Sequence, residues 1–144
     1  MSLKNATLED CEIFAEVLRE RDRETARRLG YEVEVMLGWA VKNSAEAWAG
    51  YYEGEPVCLF GVDSPCMITG EANIWFIGTD NFPPPFARES FRFMKELRKR
   101  YSNLSGHVDV TFEKSIRWLE WLGFKLGEET VKATTIVRRF QWEG

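Results

Sequence analysis

The period of the apolar positions changes several times along the chain, and each period predicts one kind of element. Apolar residues spaced three and four apart predict amphipathic helices. A charged stretch that closes at Gly30 predicts an exposed helical extension. Thr7 and Asp10 have the spacing of a helix start, and Gly123 is typical of a helix end. The predicted helices cover residues 8–20, the extension 21–29, residues 33–40, a segment that starts near residue 83, and residues 115–122.

Runs rich in aromatic and β-branched residues lie between these helices and predict strands. The runs at 47–52 and 56–62 are separated by a Glu-Gly-Glu turn signal, so they predict a hairpin. Residues 72–79 contain four apolar side chains in succession, Ile74 to Ile77, without alternation. That pattern is typical of a central strand covered on both faces. Further strands are predicted at residues 4–6, 106–112, 124–126 and 133–140, with a polar turn over 127–130.

The order of elements predicts a single α+β (mixed α/β) domain over residues 4–142. Residues 1–3 and 143–144 look like vector-derived ends and are left out of this prediction. A chain of 144 residues is long enough to bury one core without disulfides or a structural metal. Its net charge of -4 argues against a surface that is basic throughout, so nucleic acid is not an expected partner.

Targeting and redox features favour the cytoplasm. No run approaches the roughly 20 apolar residues of a membrane span, and no secretion signal is visible, so no membrane partner is expected. The thiols of Cys11, Cys58 and Cys66 are odd in number and widely spaced, which predicts reduced packing residues. His107 is the only histidine, so neither a zinc site nor a Ser-His-Asp hydrolase is expected.

Six polar residues are candidates for acid-base or oxyanion chemistry. Glu71 enters the predicted central strand and Asp80 leaves it, and either carboxylate could act as a general base. His107 and Asp109 share one face of the next strand, and a histidine can move protons near neutral pH. Tyr51 and Tyr52 in the hairpin could donate to an oxyanion. A solvated strand end, a turn or an ordinary strand residue is the alternative interpretation of each.

The element order resembles that of the GNAT acyltransferases over essentially the whole chain. The resemblance implies a mostly antiparallel central sheet with one parallel, splayed strand pair and about four helices. Its strongest local likeness is the Leu122-Gly123-Phe124 ending of the last predicted helix. Further segments are more similar to small phage proteins of this fold, some of which are related to an internal virion protein of short-tailed phages. These segments are residues 75–80, 88–90, 100–101, 107–109 and 116–119.

The GNAT resemblance implies that acyl-CoA lies between the splayed strands and that an amine attacks its thioester. The backbone of the central strand would pair with the pantetheine amides, and the start of the third main helix would face the pyrophosphate. The residues implied by this arrangement are Phe76, Ile77, Gly78, Phe86, Ala87 and Arg88.

The sequence departs from the family pattern at three places. Prolines occupy positions 83–85, where the family has a glycine-rich pyrophosphate loop, and proline has no N–H to donate. Phe112 stands where many members have asparagine. Leu119 stands where many have the tyrosine that protonates the leaving thiolate. The departures predict weak binding of acyl-CoA and slow turnover.

Two functions therefore remain open at this point. One is an N-acyltransferase that uses acyl-CoA and an amine. The other is a non-catalytic phage or prophage protein that acts in virion assembly or genome ejection, through virion association or self-association. The shared fold favours the first, and the lost polar positions favour the second.

Overall fold

The computed structural model describes residues 2–18, 20–28, 30–63, 65–66, 68–132 and 135–143. Its helices are α1 Leu8–Val17, α2 Glu20–Arg28, α3 Val33–Asn43, α4 Pro84–Arg100 and α5 Glu113–Trp121. Its strands are β1 Ser2–Asn5, β2 Glu46–Tyr52, β3 Glu55–Asp63, β4 Glu71–Gly78, β5 Asn103–Asp109, β6 Lys125–Lys132 and β7 Thr135–Glu143. Within this described part of the chain, no helix is both long and apolar enough to cross a membrane.

The strands form one sheet in the order β1-β2-β3-β4-β5-β7-β6. The sheet is mostly antiparallel, and β4 and β5 form its parallel pair. This architecture confirms the predicted mixed α+β class and the position of residues 72–79 in a central strand. By contact density the chain divides into two compact units. The N-terminal unit holds residues 1–64 and 75–86, and the C-terminal unit holds residues 65–74 and 87–144.

The core of the N-terminal unit lies between α1, α3 and one face of the sheet. Helix α1 begins with the predicted cap, because Asp10 N donates to the Thr7 hydroxyl and Thr7 N donates to the Asp10 carboxylate. Its inward face then meets α3 and the central residues of β2 and β3. The buried residues of this cluster are Cys11, Phe14, Ala15, Leu37, Ala49 and Leu59.

The core of the C-terminal unit is built on aromatic residues. Phe124 and Phe140 meet edge to face with ring centroids 5.1 Å apart. The Arg98 guanidinium lies 4.7 Å from the centroid of the Trp142 ring and donates to the Leu122 carbonyl at 2.7 Å. That carbonyl is at the C-terminal end of α5, where helical carbonyls lack partners within the helix. Arg98 therefore caps the C-terminal end of α5 and joins it to α4.

Several predicted boundaries were wrong. The first helix stops at Val17, since Leu18 is extended with ψ 148°, and the charged stretch forms the separate helix α2. Strand β5 covers residues 103–109 instead of 106–112, because the Asp109 carboxylate accepts from Thr111 N at 2.8 Å and turns the chain.

The predicted turn at residues 127–130 is also wrong, because these residues belong to β6. Glu129 and Thr130 pair with β7, and Gly127 and Glu128 form a bulge in the strand. The predicted strand at 133–140 begins in positions outside the described residues. Ser2 and Leu3 lie in β1 and Glu143 lies in β7, so residues left out of the predicted fold are part of the sheet.

Replacing Leu122 by alanine is expected to lower the free energy of unfolding by about 2 to 5 kcal/mol, through lost burial and a cavity. Leu122 is 1% exposed and Leu119 is 5% exposed, as the helical period predicts. Chemical denaturation of the variant measures the effect. Glu120→Ala on the exposed side of α5 is the matched control and should change stability by less than about 0.5 kcal/mol. A Leu122 variant as stable as this control would contradict the assigned packing.

Candidate functional site

The GNAT resemblance implies a site beside a parallel strand pair, and β4 and β5 form a parallel ladder. Its paired residues are Glu71 with Asn103, Ala72 with Leu104, and Asn73 with Ser105, all in the C-terminal unit. The Ser105 hydroxyl donates to the Asn73 side-chain oxygen at 3.3 Å. By comparison, β5 and β7 share seven paired positions. The parallel ladder is therefore short.

The second half of β4 belongs to the N-terminal unit. Phe76 and Ile77 are half-buried and Gly78 is buried, and the Ile77 side chain packs against the core cluster beneath α1 and α3. Thr79 follows the last residue of the strand, and its N–H donates to the Val57 carbonyl of β3 at 3.0 Å. The next residue, Asp80, is exposed. The Asp80 side chain is therefore exposed only two residues after the buried Gly78.

The start of α4 has few backbone donors. Pro84 and Pro85 are the first two helical residues and have no N–H. The third, Phe86, donates its N–H to the Pro83 carbonyl at 2.9 Å. These are the positions whose amides are normally free to hold an anion at a helix N-terminus. Arg88, which is exposed, is therefore the main group in this turn that can attract a phosphate.

The Phe86 side chain is part of the core. It is 1% exposed and meets Phe82 edge to face, with ring centroids 5.6 Å apart. A Cβ placed on Gly50 would lie 2.5 Å from the Phe86 ring. Phe86 therefore fixes the start of α4 against β2, and its buried side chain offers no surface to a ligand.

The four predicted acid-base residues are distributed over both units. Glu71, His107 and Asp109 lie in the C-terminal unit, and Asp80 lies in the N-terminal unit. Glu71 begins the eight-residue strand β4, whereas Asp80 follows its last residue by two positions, so the two carboxylates lie at different ends of the strand and in different units.

His107 and Asp109 lie on the same side of β5, two residues apart. His107 is exposed and pairs with Arg139 of β7. The Asp109 carboxylate accepts from both the backbone N–H and the hydroxyl of Thr111, which is an Asx-turn arrangement. Asp109 thus has a structural role at the end of β5, whereas the His107 ring faces outward.

A buried polar cluster in the N-terminal unit was missed by the sequence analysis. Asp10 is 2% exposed and accepts from Lys4 Nζ at 2.6 Å and from the Tyr51 hydroxyl at 2.6 Å, besides Thr7. Burial acts to raise the Asp10 pKa, but the hydrogen bonds from Lys4, Tyr51 and Thr7 outweigh it and hold the pKa below its ordinary value. The Thr7-to-Asp10 spacing was visible in the sequence, but Tyr51 is 41 residues away.

This cluster also corrects the predicted role of Tyr51. Its hydroxyl proton is given to Asp10, and burial together with the Asp10 carboxylate raises the Tyr51 pKa. A phenol held in this way is not free to donate to an oxyanion.

The cysteines follow the prediction at two of three positions. Cys11 and Cys58 are buried free thiols, and burial raises the pKa of the Cys58 thiol. Cys66 is exposed, so the prediction of a packing residue was wrong there. Hydrogen bonds from Thr69 lower the Cys66 pKa.

Comparisons with known proteins bear on the fold. No protein-family model matches this chain, and no curated protein matches its sequence. A ribosomal-protein-alanine N-acetyltransferase from Brucella melitensis has 12% identity, covers 100% of both chains and superimposes with a TM-score of 0.71. A mutant of the spermidine N-acetyltransferase SpeG from Vibrio cholerae has 13% identity, covers 99% of this chain and 95% of its own, and gives 0.69.

The ribosomal L7/L12 alpha-N-protein acetyltransferase RimL was solved in complex with coenzyme A. It has 10% identity, covers 98% of this chain and 92% of its own, and gives a TM-score of 0.72. At such low identity these likenesses show the fold alone. The chain therefore has a GNAT-like fold over essentially its whole length, which confirms the predicted fold.

Proposed function

We propose that the chain is an N-acyltransferase that moves an acyl group from acyl-CoA to an amine. The observation that carries this proposal is the full-length likeness to three N-acetyltransferases, one of them solved with coenzyme A. Fold alone does not define an activity, so the proposal also depends on the residues available at β4, β5 and α4.

The reaction needs a proton acceptor and a path for the leaving group. The amine nitrogen attacks the thioester carbonyl carbon, a C–N bond forms, the C–S bond breaks, and the sulfur leaves with a proton. A base must take the proton that the amine loses. His107 and Asp80 are the favoured candidates for the base, because both are exposed. His107 lies in the second half of β5, and Asp80 follows the end of β4. Asp109 is engaged with Thr111, which makes it a weaker base candidate.

Glu71 is the least suitable of the four candidates for this role. It begins β4, five residues before Phe76, and the intervening strand is about 16 Å long. A base at Glu71 would therefore be remote from a thioester held along residues 76–78.

The proposed binding residues for acyl-CoA divide by what they offer. The backbone of Phe76, Ile77 and Gly78 would pair with the pantetheine amides. Ala87 and Arg88 would face the phosphates, with Arg88 supplying the charge. Phe86 contributes by fixing the start of α4, since its side chain is buried. These residues fit acyl-CoA only in part. Arg88 supplies a cation, but Pro84 and Pro85 remove two of the backbone N–H donors that usually hold the phosphates.

Turnover is also expected to be slow, because two positions that carry polar side chains in many GNAT proteins are apolar in this chain. Leu119 is 5% exposed and apolar, so it cannot protonate a thiolate. Phe112 likewise offers no polar side chain. Water or the His107 ring would have to supply the proton that the leaving sulfur needs.

Calorimetric titration with acetyl-CoA tests the proposal. We expect a dissociation constant of about 10 to 100 µM or weaker, because missing phosphate hydrogen bonds cost roughly 1.5 to 3 kcal/mol each and 1.4 kcal/mol is tenfold in affinity. Arg88→Ala should weaken binding by a further tenfold or so. Arg92→Ala, one turn further on and paired with Glu89, is the control and should leave binding unchanged.

Two results would contradict the proposal. Submicromolar binding that ignores Arg88 would reject the phosphate site. No binding at millimolar acetyl-CoA would reject the acyltransferase, and attention would return to the predicted virion or partner-binding role. The described residues and the comparisons contain nothing that favours that alternative, so it stays a prediction from sequence likeness.

A further inference from the structure

The outer side of α1 is both acidic and apolar. The helix contains four acidic residues and no basic one, and of the four only Asp10 is buried. The exposed carboxylates are flanked by large apolar side chains that are 65%, 39% and 45% exposed. These are Leu8, Ile13 and Val17. At about 100° per residue, Leu8 lies on the flank toward α3, and Ile13 and Val17 lie on the opposite flank. An exposed apolar side chain that adjoins others on a neighbouring helix indicates a surface that is covered in use.

Helix α3 extends this surface. Val35 is 59% exposed and Trp39 is 69% exposed, and their spacing of four puts them on one side of the helix. A Cβ on Gly38 would lie 3.7 Å from the Leu8 side chain, so the outer sides of α1 and α3 adjoin. We call this surface the acidic face, and it consists of Leu8, Glu9, Glu12, Glu16, Val35 and Trp39.

The C-terminal unit has a surface of opposite charge. Helix α4 contains six basic residues and two acidic ones. On its side toward α5, the rings of Phe91 and Trp121 meet with centroids 5.3 Å apart, and Lys95 Nζ lies 5.1 Å from the Phe91 centroid. Trp121 remains 52% exposed. We call this surface the basic face, and it consists of Phe91, Lys95, Lys114, Arg117 and Trp121.

We propose that the acidic face of one copy of the chain docks on the basic face of a second copy. Each face combines aromatic or aliphatic side chains with an excess of charges of one sign, and the two signs are opposite. Lys42 adds one cation beside Trp39 on the acidic face, and Glu113 and Glu120 flank Arg117 on the basic face. Apolar side chains supply burial at such an interface, and complementary charges set its partner and orientation. A nucleic acid would suit only the basic face, and a basic peptide only the acidic face. A second copy accounts for both.

The geometry makes the contact weak and directional. Two adjacent helices, each about 10 Å wide and about 15 Å long, present roughly 300 Å² in projection, which is below the size of a stable interface. A contact between two different faces is heterologous, so it leaves one face of each kind free at the ends of an open assembly. We therefore expect reversible association that grows with concentration and weakens with salt.

Sedimentation velocity on paired charge-reversal variants tests this proposal. Lys95→Glu with Arg117→Glu reverses the basic face, and Glu12→Lys with Glu16→Lys reverses the acidic face. All four positions are exposed, so both variants should fold, which circular dichroism checks. Each variant alone should associate at least about tenfold more weakly than the parent, because like charges then oppose each other. An equimolar mixture of the two variants should regain association, since every contact between unlike copies is again complementary.

Lys125→Glu reverses an exposed charge on the edge strand β6, outside the residues that define the two faces, and should associate like the parent. Trp121→Ala gives a second test without a charge change, and it should also weaken association. A parent that stays monomeric up to about 1 mM protein, a range that covers weak contacts, would overturn the proposal. So would variants that associate as the parent does, a mixture that regains nothing, or a single-stranded oligonucleotide that binds the basic face of a monomeric chain.

Discussion

Replacing Asp10 by alanine is expected to lower the free energy of unfolding by about 2 to 4 kcal/mol. The side chain is 2% exposed and accepts from Thr7, Lys4 and Tyr51. Without it, the Tyr51 hydroxyl and the first turn of α1 lose their acceptor. Lys4 can turn toward water, because its side chain is 47% exposed, and this limits the loss. Denaturant unfolding measures the change, and Glu9→Ala, at the exposed neighbouring position, is the control.

The same residue makes stability depend on pH. The folded-state pKa of Asp10 lies below its ordinary value of 3.8, so its stabilising contribution is complete above about pH 5 and is lost as pH falls through the folded-state value. Asp10→Asn keeps the shape and removes the charge. The stability gap between the parent and Asp10→Asn should therefore be largest near neutral pH and shrink below about pH 4. A gap that is the same at both pH values would contradict the ionic role.

Short sequence patterns predicted the helices and strands that neighbouring residues determine. They failed where contacts between residues far apart in sequence determine the structure. The Thr7-to-Asp10 spacing marked the start of α1, and the unbroken apolar run marked β4 as central. The end of α1 at Leu18 was not predicted, because Leu18 is neither a glycine nor a proline. Residues 127–130 are polar and look like a turn, yet they belong to β6, and Glu129 and Thr130 pair with β7. Their partners supply the backbone hydrogen bonds that propensity does not encode.

The candidate site was predictable in part for the same reason. The three prolines at positions 83–85 predicted a helix start poor in donors, and α4 begins with two of them. Nothing local revealed that Tyr51 gives its proton to Asp10, because the partners are 41 residues apart. The burial of Phe86 against Gly50 depends on a similar long-range contact, and a pattern read along one segment cannot find it.

The strand that carries His107 depends on a close approach at the residue before it. A Cβ on Gly106 would overlap the Ile74 carbonyl oxygen and lie 2.5 Å from the Phe140 ring. The Ile74 carbonyl belongs to the backbone of β4 and cannot swing aside as a flexible side chain would. Glycine is therefore needed here for space, since no positive φ is involved at this position.

Gly106→Ala is accordingly expected to cost about 2 to 3 kcal/mol or more, because overpacking forces backbone to shift. Gly127→Ala on β6 is the matched control: its nearest neighbour would be 3.5 Å away, an ordinary contact, so the change should be within about 0.5 kcal/mol. Thermal or chemical unfolding of both variants gives the comparison. If the Gly106 variant proved as stable as the Gly127 variant, β4 and β5 would have to lie further apart at this level than the structure has them.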